Sequence, residues 1–472
     1  MAENQPQTGS EALPRTKAEG GPDTWGAFRA GCEAAPLIDP ARLVGEGGLV
    51  VIAPHPDDES LGAAALLIEA GRSGREVGIV ALTDGDASHP NSLCVPPARL
   101  AEIRQREQEA AVAALGVTNV RWLRLRLPDR FAGRSAGFAD ASVKIAAFCE
   151  EVRATALSAP HPDDPHSDHH AAAALAEDVL RLRPGLRLLF HPIWSMRLGD
   201  EEPYRCDGLL PFRVGTDPDT KARAIACHRS QLGEVVADDP DGFTLPDWFL
   251  AAHRGPTEVH VWAKKPGRLP GPDHFAALYA DGNDPWQAQT SSYEREKRAD
   301  NIDQLQRPHY RRGLDIGCGE GRLAAELVAA GKVGAMTGLD RDPSIIARAE
   351  RRYGDNGRLS FAAGTLPLDL PEGHFDCVVV SEVLYFLDEA EIAALADRMT
   401  NQLPSGADML VVSYLGQTDT PLSGRESHDL FVACFGDRCR TISLRVRERY
   451  LAELLRFSPE DAEATADDGR AR

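Results

Sequence analysis

The sequence predicts an α/β chain made of two doubly wound, Rossmann-like units in series. Three observations carry that expectation. Continuous apolar runs such as Gly48-Leu49-Val50-Val51-Ile52-Ala53 recur, each followed by a loop and a helical pattern, as buried parallel strands require. The rhythm stops near Ala263 to Pro272, where Lys, Gly and Pro dominate, and restarts at Arg312-Gly313-Leu314-Asp315-Ile316. Each half also carries a chemistry-bearing loop at a strand end: Pro54-His55-Pro56-Asp57-Asp58-Glu59 in the first, Asp315 to Gly321 in the second.

The bulk composition narrows the field. A chain of 472 residues, 43% hydrophobic and 26% charged, is long enough for two or three cores. A formal charge of -20 excludes general affinity for nucleic acid, which needs basic surface to meet phosphate. Nine cysteines without a CxxC pair read as reduced thiols and so predict a cytoplasmic protein. Residues 1–24 are polar and rich in Pro and Gly, with no apolar core of a signal peptide, and read as a disordered leader. No run has the length of a membrane span, so no membrane partner is expected.

Element by element, the first strand is 48–53, and a helix is expected from Asp58 through Leu67. Glu76 to Thr83 is the second strand, Ala98 to Leu115 a helix closed by Gly116. Asn119 to Arg124 reads as strand, and Ser142 to Leu157 as helix then strand. These make a first domain over 25–263, joined by a linker at 264–272 to a second at 273–458, with a flexible tail at 459–472. In the second domain, strands are expected at 312–316, 334–340, 360–362, 377–380 and 409–414.

His55 and Asp58 stand three residues apart on a turn entering a helix, so both can face one point. About a hundred residues on, His166-Ser167-Asp168-His169 opens the Ala171-Ala172-Ala173-Ala174 helix and can supply a third ligand, His169, with His170 as its rival. Three side chains plus an open water position suit a catalytic divalent metal. In that arrangement Asp57 points elsewhere, free to act as general base, and His166 stabilises an oxyanion while Asp168 fixes its ring. His161-Pro162-Asp163-Asp164 repeats the first string and reads as a plain loop.

These residues, with Thr83-Asp84-Gly85-Asp86, Arg104, Glu107 and Lys221 through Ser230-Gln231, make residues 25–262 resemble the PIG-L (LmbE-like) deacetylase family. The resemblance implies zinc-dependent removal of an acyl group, commonly acetyl, from the amine of an amino sugar. By position it makes His55, Asp58 and His169 the metal ligands, Asp57 the base and His166 the oxyanion partner. Gly62-Ala63-Ala64-Ala65 departs from the family's more glycine-rich helix start.

In the second half, Asp315-Ile316-Gly317-Cys318-Gly319-Glu320-Gly321 ends a strand and opens a helix. The glycines permit positive φ and close approach of a cofactor. The spacing G-x-G-x-G is not that of nicotinamide binding; a phosphate-free, methionine-linked cofactor fits better, its amino-acid end meeting Asp315. Asp340 ends the next strand, where a carboxylate accepts ribose hydroxyls. With Gly364-Thr365 and the run Phe375 to Leu384, this set resembles class I methyltransferases dependent on S-adenosyl-L-methionine. Thr365 stands where an acid often meets the adenine amino group.

Asp284-Pro285-Trp286, Ser292 to Lys297 and Ser381-Glu382-Val383-Leu384-Tyr385-Phe386-Leu387 resemble nodulation-protein-S-type N-methyltransferases over 274–457. That family methylates the free amine of a deacetylated glucosamine unit. Glu382, a candidate cofactor-binding residue, and Tyr385 are expected near the methyl-transfer point; Trp286 and Tyr293, with Tyr385, are candidates for a lid over cofactor or acceptor, and Trp286 and Tyr293 read equally well as packing aromatics. A deacetylase makes a primary amine and an amine methyltransferase consumes one, so the expectation is a bifunctional enzyme acting on a small molecule or oligosaccharide with an acylated amine. Methylation of oxygen on the same glycan or metabolite, or a cofactor-binding regulatory half, are the alternatives.

Overall fold

The computed structural model describes residues 23–280, 284–285, 287–288 and 290–458. Its contacts divide it into two compact units, one running to Pro266 and the other starting at Gly267. The expected leader up to residue 22 and the tail from 459 lie outside the described residues. Thr24, assigned to the leader, instead caps the helix Trp25–Glu33, its Oγ1 accepting from the Ala27 amide at 3.3 Å.

In the first unit, β1 (Leu37–Ile38), β2 (Gly48–Ala53), β3 (Val77–Thr83), β4 (Val120–Leu127), β5 (Ala154–Pro160), β6 (Arg187–His191), β7 (Leu209–Gly215) and β8 (Thr257–Ala263) form one sheet. The order is β1-β7-β8-β6-β5-β2-β3-β4. Strands β6, β5, β2, β3 and β4 run parallel, and β8 is antiparallel to both its neighbours. Every residue of β2 and β3 is buried, so both sheet faces are covered, which is why those segments read as unbroken apolar runs. The chain steps from β2 outward to β3 and β4, then returns to place β5 on the other side of β2. The reversal puts both His/Asp clusters at the carboxyl ends of adjacent strands, where open α/β sheets hold their ligands.

The second unit contains β9 (Tyr310–Ile316), β10 (Val333–Asp340), β11 (Leu359–Ala363), β12 (Cys377–Ser381), β13 (Asp408–Tyr414), β14 (Cys439–Val446) and β15 (Tyr450–Phe457). Their order is β11-β10-β9-β12-β13-β15-β14. The first five are parallel, and β15 is antiparallel to β13 and β14. The reversal here lies between β9 and β12. It brings the loop after Asp315 beside the segment after Ser381.

The helix expected from Asp58 through Leu67 is two helices, Asp58–Gly62 and Ala64–Arg72, broken at Ala63. A buried ion pair occupies the break. Lys221 Nζ donates to the Leu61 carbonyl at 2.8 Å and to Glu258 Oε1 at 2.7 Å, while Glu258 Oε2 accepts the Ala65 amide at 2.9 Å. Leu61 and Ala65 would bond to each other in a continuous helix; the pair inserts between them. At Gly62 a Cβ would lie 2.2 Å from the His191 ring, so only glycine permits the approach. The expected linker is partly structural, since Lys265 is buried and donates to the Pro184 carbonyl at 2.7 Å.

Because removing one member leaves the other charge buried and unpaired, Lys221→Met should destabilise the first unit by about 3–5 kcal/mol. Urea unfolding followed by a probe in that unit measures it, and a loss below about 1 kcal/mol would refute the role given to the pair.

Candidate functional sites

In the first unit, the turn after β2 carries His55, Asp57 and Asp58, and the helix Ser167–Leu182 after β5 opens with Asp168 and His169. Asp58 Oδ2 lies between two imidazoles, 3.1 Å from His55 Nδ1 and 3.3 Å from His169 Nε2. His166 joins them, and His55, His166 and His169 each bring a ring nitrogen within 4.8 Å of the others. His169 is wholly buried while His170, its rival, is exposed. Burial alone would lower His169, but the carboxylates of Asp58 and Asp164 raise it to about 9. Burial would likewise raise Asp58, and the two histidines hold it well below the usual carboxylate range.

Asp57 is not free. It accepts from Arg104 Nη2 at 3.1 Å, and Arg104 is itself fixed by the carbonyls of Gly85 (2.8 Å) and Pro56 (3.3 Å). Gly85 has φ +64, and a Cβ there would lie 2.4 Å from the guanidinium, which explains a glycine in the Asp84-Gly85-Asp86 turn. Burial raises the Asp57 carboxyl to about 6 against the pull of Arg104.

Asp168 also departs from its expected role. Its amide, not its carboxylate, meets His166 Nδ1, at 3.2 Å. Its carboxylate accepts the amides of Arg130 (2.6 Å) and Ala132 (3.1 Å) and stands 3.4 Å from His55 Nε2. His166 is the N-cap of the helix Ser167–Leu182, and its ring nitrogen takes the free amide of Asp168 in the first turn, as a capping side chain does. Burial and the neighbouring rings of His55 and His169 lower His166 to about 4.

Two carboxylates were missed as site residues. Asp129, in the loop after β4, lies 3.5 Å from His55 Nε2 and accepts the Ala87 amide at 2.9 Å. Asp164 is fully buried; Oδ1 meets His169 Nδ1 at 2.8 Å, and Oδ2 accepts from the Ile193 and Trp194 amides and the Ser195 hydroxyl. Its signal was present as the recurrence of the His-Pro-Asp-Asp string at His161 to Asp164, read there as a loop. With Nδ1 committed, His169 Nε2 has no hydrogen-bond partner although it is buried. An orphaned imidazole nitrogen facing a carboxylate and a second imidazole fits a divalent cation.

In the second unit a cavity of about 310 Å³ is lined by Asp315, Gly317, Gly319, Asp340, Gly364, Thr365, Glu382 and Tyr385. Gly317, Gly319 and Gly321 have φ of 75°, 52° and 75°. At Gly319 a Cβ would meet nothing within 4 Å, so its conformation alone demands glycine; its amide donates to Asp340 Oδ2 at 3.0 Å. Gly321 does not line the cavity. A Cβ there would strike Phe361 at 2.4 Å, so it serves packing of the helix Arg322–Ala329 against β11. Gly364 donates its amide to the Asp340 carbonyl at 2.9 Å, and Thr365 its amide to Asp369 Oδ2 at 2.8 Å.

Glu382 takes a left-handed φ of 53°, costly for a side chain of its kind. It accepts the Tyr293 hydroxyl and Lys297 Nζ, each at 2.7 Å. Tyr293, expected as a lid, is not among the residues that line the cavity and touches the site through Glu382. Trp286 lies outside the described residues. Burial and the nearby Asp340 raise Asp315 to about 7, and its Oδ2 has no partner.

Comparison with known proteins agrees with this division. Residues 50–180 match the family model GlcNAc-PI de-N-acetylase (PIG-L), and residues 314–406 match the model Methyltransferase domain. The chain thus joins a PIG-L deacetylase domain, an amide hydrolase, to a methyltransferase domain. It is 29% identical over 262 residues to a 1D-myo-inositol 2-acetamido-2-deoxy-alpha-D-glucopyranoside deacetylase of Kineococcus radiotolerans, covering 50% of this chain and 70% of that one. Nodulation protein S of Rhizobium tropici is 28% identical over 171 residues, 35% of this chain and 70% of its own. A crystal structure of the N-methyltransferase NodS from Bradyrhizobium japonicum with S-adenosyl-L-homocysteine matches with TM-score 0.35 and 23% identity, over 39% of this chain and 97% of that one. The chain spans 50% of the length of the mycobacterial methyltransferases it also matches. No described helix is long and apolar enough to cross a membrane.

The raised Asp315 carboxyl has a measurable consequence. Its folded value of about 7 exceeds the unfolded value of about 4, so between them the folded chain holds the extra proton and stability falls as pH rises. Asp315→Asn cannot ionise and should lose less stability than the parent between about pH 5 and about pH 8 in cofactor-free protein. Melting of the second unit across that range tests it, and parallel curves would count against the assignment.

Proposed function

We propose that the chain is a bifunctional enzyme that removes an acyl group, commonly acetyl, from the amine of an amino sugar and then methylates the freed amine. The observation that carries the first activity is His169, buried, its Nδ1 held by Asp164 and its Nε2 left facing Asp58. His55, Asp58 and His169 would hold a divalent cation, zinc by family resemblance. Bound there, the cation supplies the Lewis acidity that makes water a nucleophile near neutral pH.

The protein's own groups do the rest. Asp57, at about 6, takes a proton from the attacking water and returns it to the departing nitrogen, so acid and amine both leave with balanced protons. Arg104 holds that carboxylate in place. His166, at the rim of the ring cluster, has its Nδ1 accepting the Asp168 amide, so the neutral ring would carry its proton on Nε2 and donate it as a hydrogen bond to the oxygen that becomes anionic. The acetamido-sugar deacetylase from Kineococcus radiotolerans supports an acylated amino sugar as substrate class.

In the second unit the cofactor would be S-adenosyl-L-methionine, which supplies an activated methyl group. Asp340, which lines the cavity, would accept the ribose hydroxyls, and the positive φ of Gly317 and Gly319 would allow close approach of the main chain. Glu382 is committed to Tyr293 and Lys297 and shapes the transfer end of the cavity. Tyr385 lines that end as well. Methyl transfer to nitrogen, and its order after deacylation, rest on the resemblance to nodulation-protein-S-type enzymes and on the match between one reaction's product and the other's acceptor.

Two measurements test this reading. Asp164→Asn should weaken zinc binding about 10- to 100-fold in equilibrium dialysis, since the carboxylate that orients His169 is lost; unchanged affinity would move the cation elsewhere. Mass spectrometry of N-acetylglucosamine oligosaccharides incubated with protein, zinc and S-adenosyl-L-methionine should show acetyl loss and then methyl gain on one sugar. Asp57→Ala should slow the first step about 10²- to 10⁴-fold. Methyl gain on an acceptor without a free amine would replace N-methylation by O-methylation.

A further inference from the structure

The helix Ser292–Gln304 presents three buried polar side chains to the cavity of the second unit: Lys297, Arg298 and Asn301. Two of them are accounted for within the protein. Lys297 Nζ donates to Glu294 Oε1 and Glu382 Oε2, each at 2.7 Å. Arg298 pairs with Glu326 and donates to the Ala288 carbonyl. Asn301 differs. It is 1% exposed, and neither its Nδ2 nor its Oδ1 has a hydrogen-bond partner.

An amide side chain buried with both ends unmet costs the desolvation of a donor and an acceptor, about 1–3 kcal/mol for each. Such a cost is tolerated where a ligand supplies the partners. The same cavity holds one more orphan, Asp315 Oδ2. Together the three atoms are one donor and two acceptors. Whichever way the Asn301 amide is turned, it offers one of each. That inventory complements an α-amino acid zwitterion, whose ammonium brings three donors and whose carboxylate only accepts. An adenine edge could meet the Asn301 amide by itself, but a nucleoside brings no cation to the Asp315 carboxylate.

We infer that Asn301 is a specificity-determining residue for the cofactor, reading the zwitterionic amino-acid end together with Asp315: Nδ2 donates to the carboxylate, and Oδ1 and Asp315 Oδ2 accept from the ammonium. This rests on the reading of the cavity as an S-adenosyl-L-methionine site and adds a second reader to it. Asn301 is four residues past Lys297, so one helix face reaches both the amino-acid end and Glu382 at the transfer end. The helix then senses whether the cofactor carries its amino acid. Degraded cofactor that has lost this end leaves the three atoms unmet and is bound poorly.

Calorimetric titration of the full chain with S-adenosyl-L-homocysteine and with 5′-methylthioadenosine separates the possibilities. The two probes share the adenosine and sulfur and differ in the amino-acid end. Asn301→Ala should weaken S-adenosyl-L-homocysteine about 10- to 100-fold, the range expected for hydrogen bonds to charged groups. Its affinity for 5′-methylthioadenosine should stay within about twofold, which also certifies that the cavity remains folded. Asn301→Gln, longer by one methylene, should recover part of the loss. Equal losses for both probes would make Asn301 a packing residue, and no loss for either would mean that water satisfies its amide; each overturns the proposal. If the parent protein binds neither probe, the cofactor reading itself falls.

Discussion

Asp164 has no exposed surface, yet four groups from the protein converge on its two oxygens: the Nδ1 of His169, the amides of Ile193 and Trp194, and the hydroxyl of Ser195. A carboxylate so deep stays charged only because those donors replace its lost hydration. The consequence spreads outward. The loop after β5, the start of the helix Ser167–Leu182 and the loop after β6 are tied to one point, so His169 has one tautomer and one orientation. Only then does its Nε2 face Asp58, and only then do the three imidazoles share a centre. His55 is held by the same logic from its other side, where Asp129 and Asp168 stand 3.5 and 3.4 Å from Nε2.

The ion pair of Lys221 and Glu258 supports the opposite wall. By taking over the bonds that Leu61 and Ala65 would make to each other, it lets the chain after Asp58 bend where an uninterrupted helix would run straight on. Glu59 and Ser60, on the first turn, are then drawn toward Gln108 and His228. Asp57 and Asp58 keep opposite headings, one to Arg104 and one to the histidines. A substitution that restored the helical ladder would improve the local backbone and misplace both carboxylates.

Strands β2, β3 and β12 were legible because burial along nearly the whole strand leaves an unbroken apolar run, and β9 and β10 were placed to within a residue or two by the loops that follow Asp315 and Asp340. Strands β6, β7 and β8 went unnamed, and so did the hairpin of β14 and β15, where Arg440 and Arg445 lie on the edge strand β14 and the apolar signal fails. At the sites, residues on the turns after strands were readable because spacing along one turn fixes their common heading. Asp129 and Asp164 were not, since their roles depend on which strands are neighbours. Sequence spacing carries no record that β5 lies between β2 and β6. Asp168 shows the complementary limit: its position was right, but whether main chain or side chain meets His166 is decided by rotation within a single residue.

The two units treat buried charge in opposite ways, and the difference follows from what each holds. In the first, the carboxylates around His55, His166 and His169 have internal donors, and of those three rings it is the buried Nε2 of His169 that is left unmet, where a cation would bind under the proposed function. In the second, Asp315 keeps an oxygen with no donor and sits at about 7, while the amide of Asn301 is unmet at both ends. A cofactor that must leave after each turnover cannot be replaced by internal partners without closing its own site. Left without protein partners, those atoms lower stability when the cavity is empty. If the product of the first reaction is the acceptor of the second, as proposed above, tethering raises the effective concentration of one site for the other.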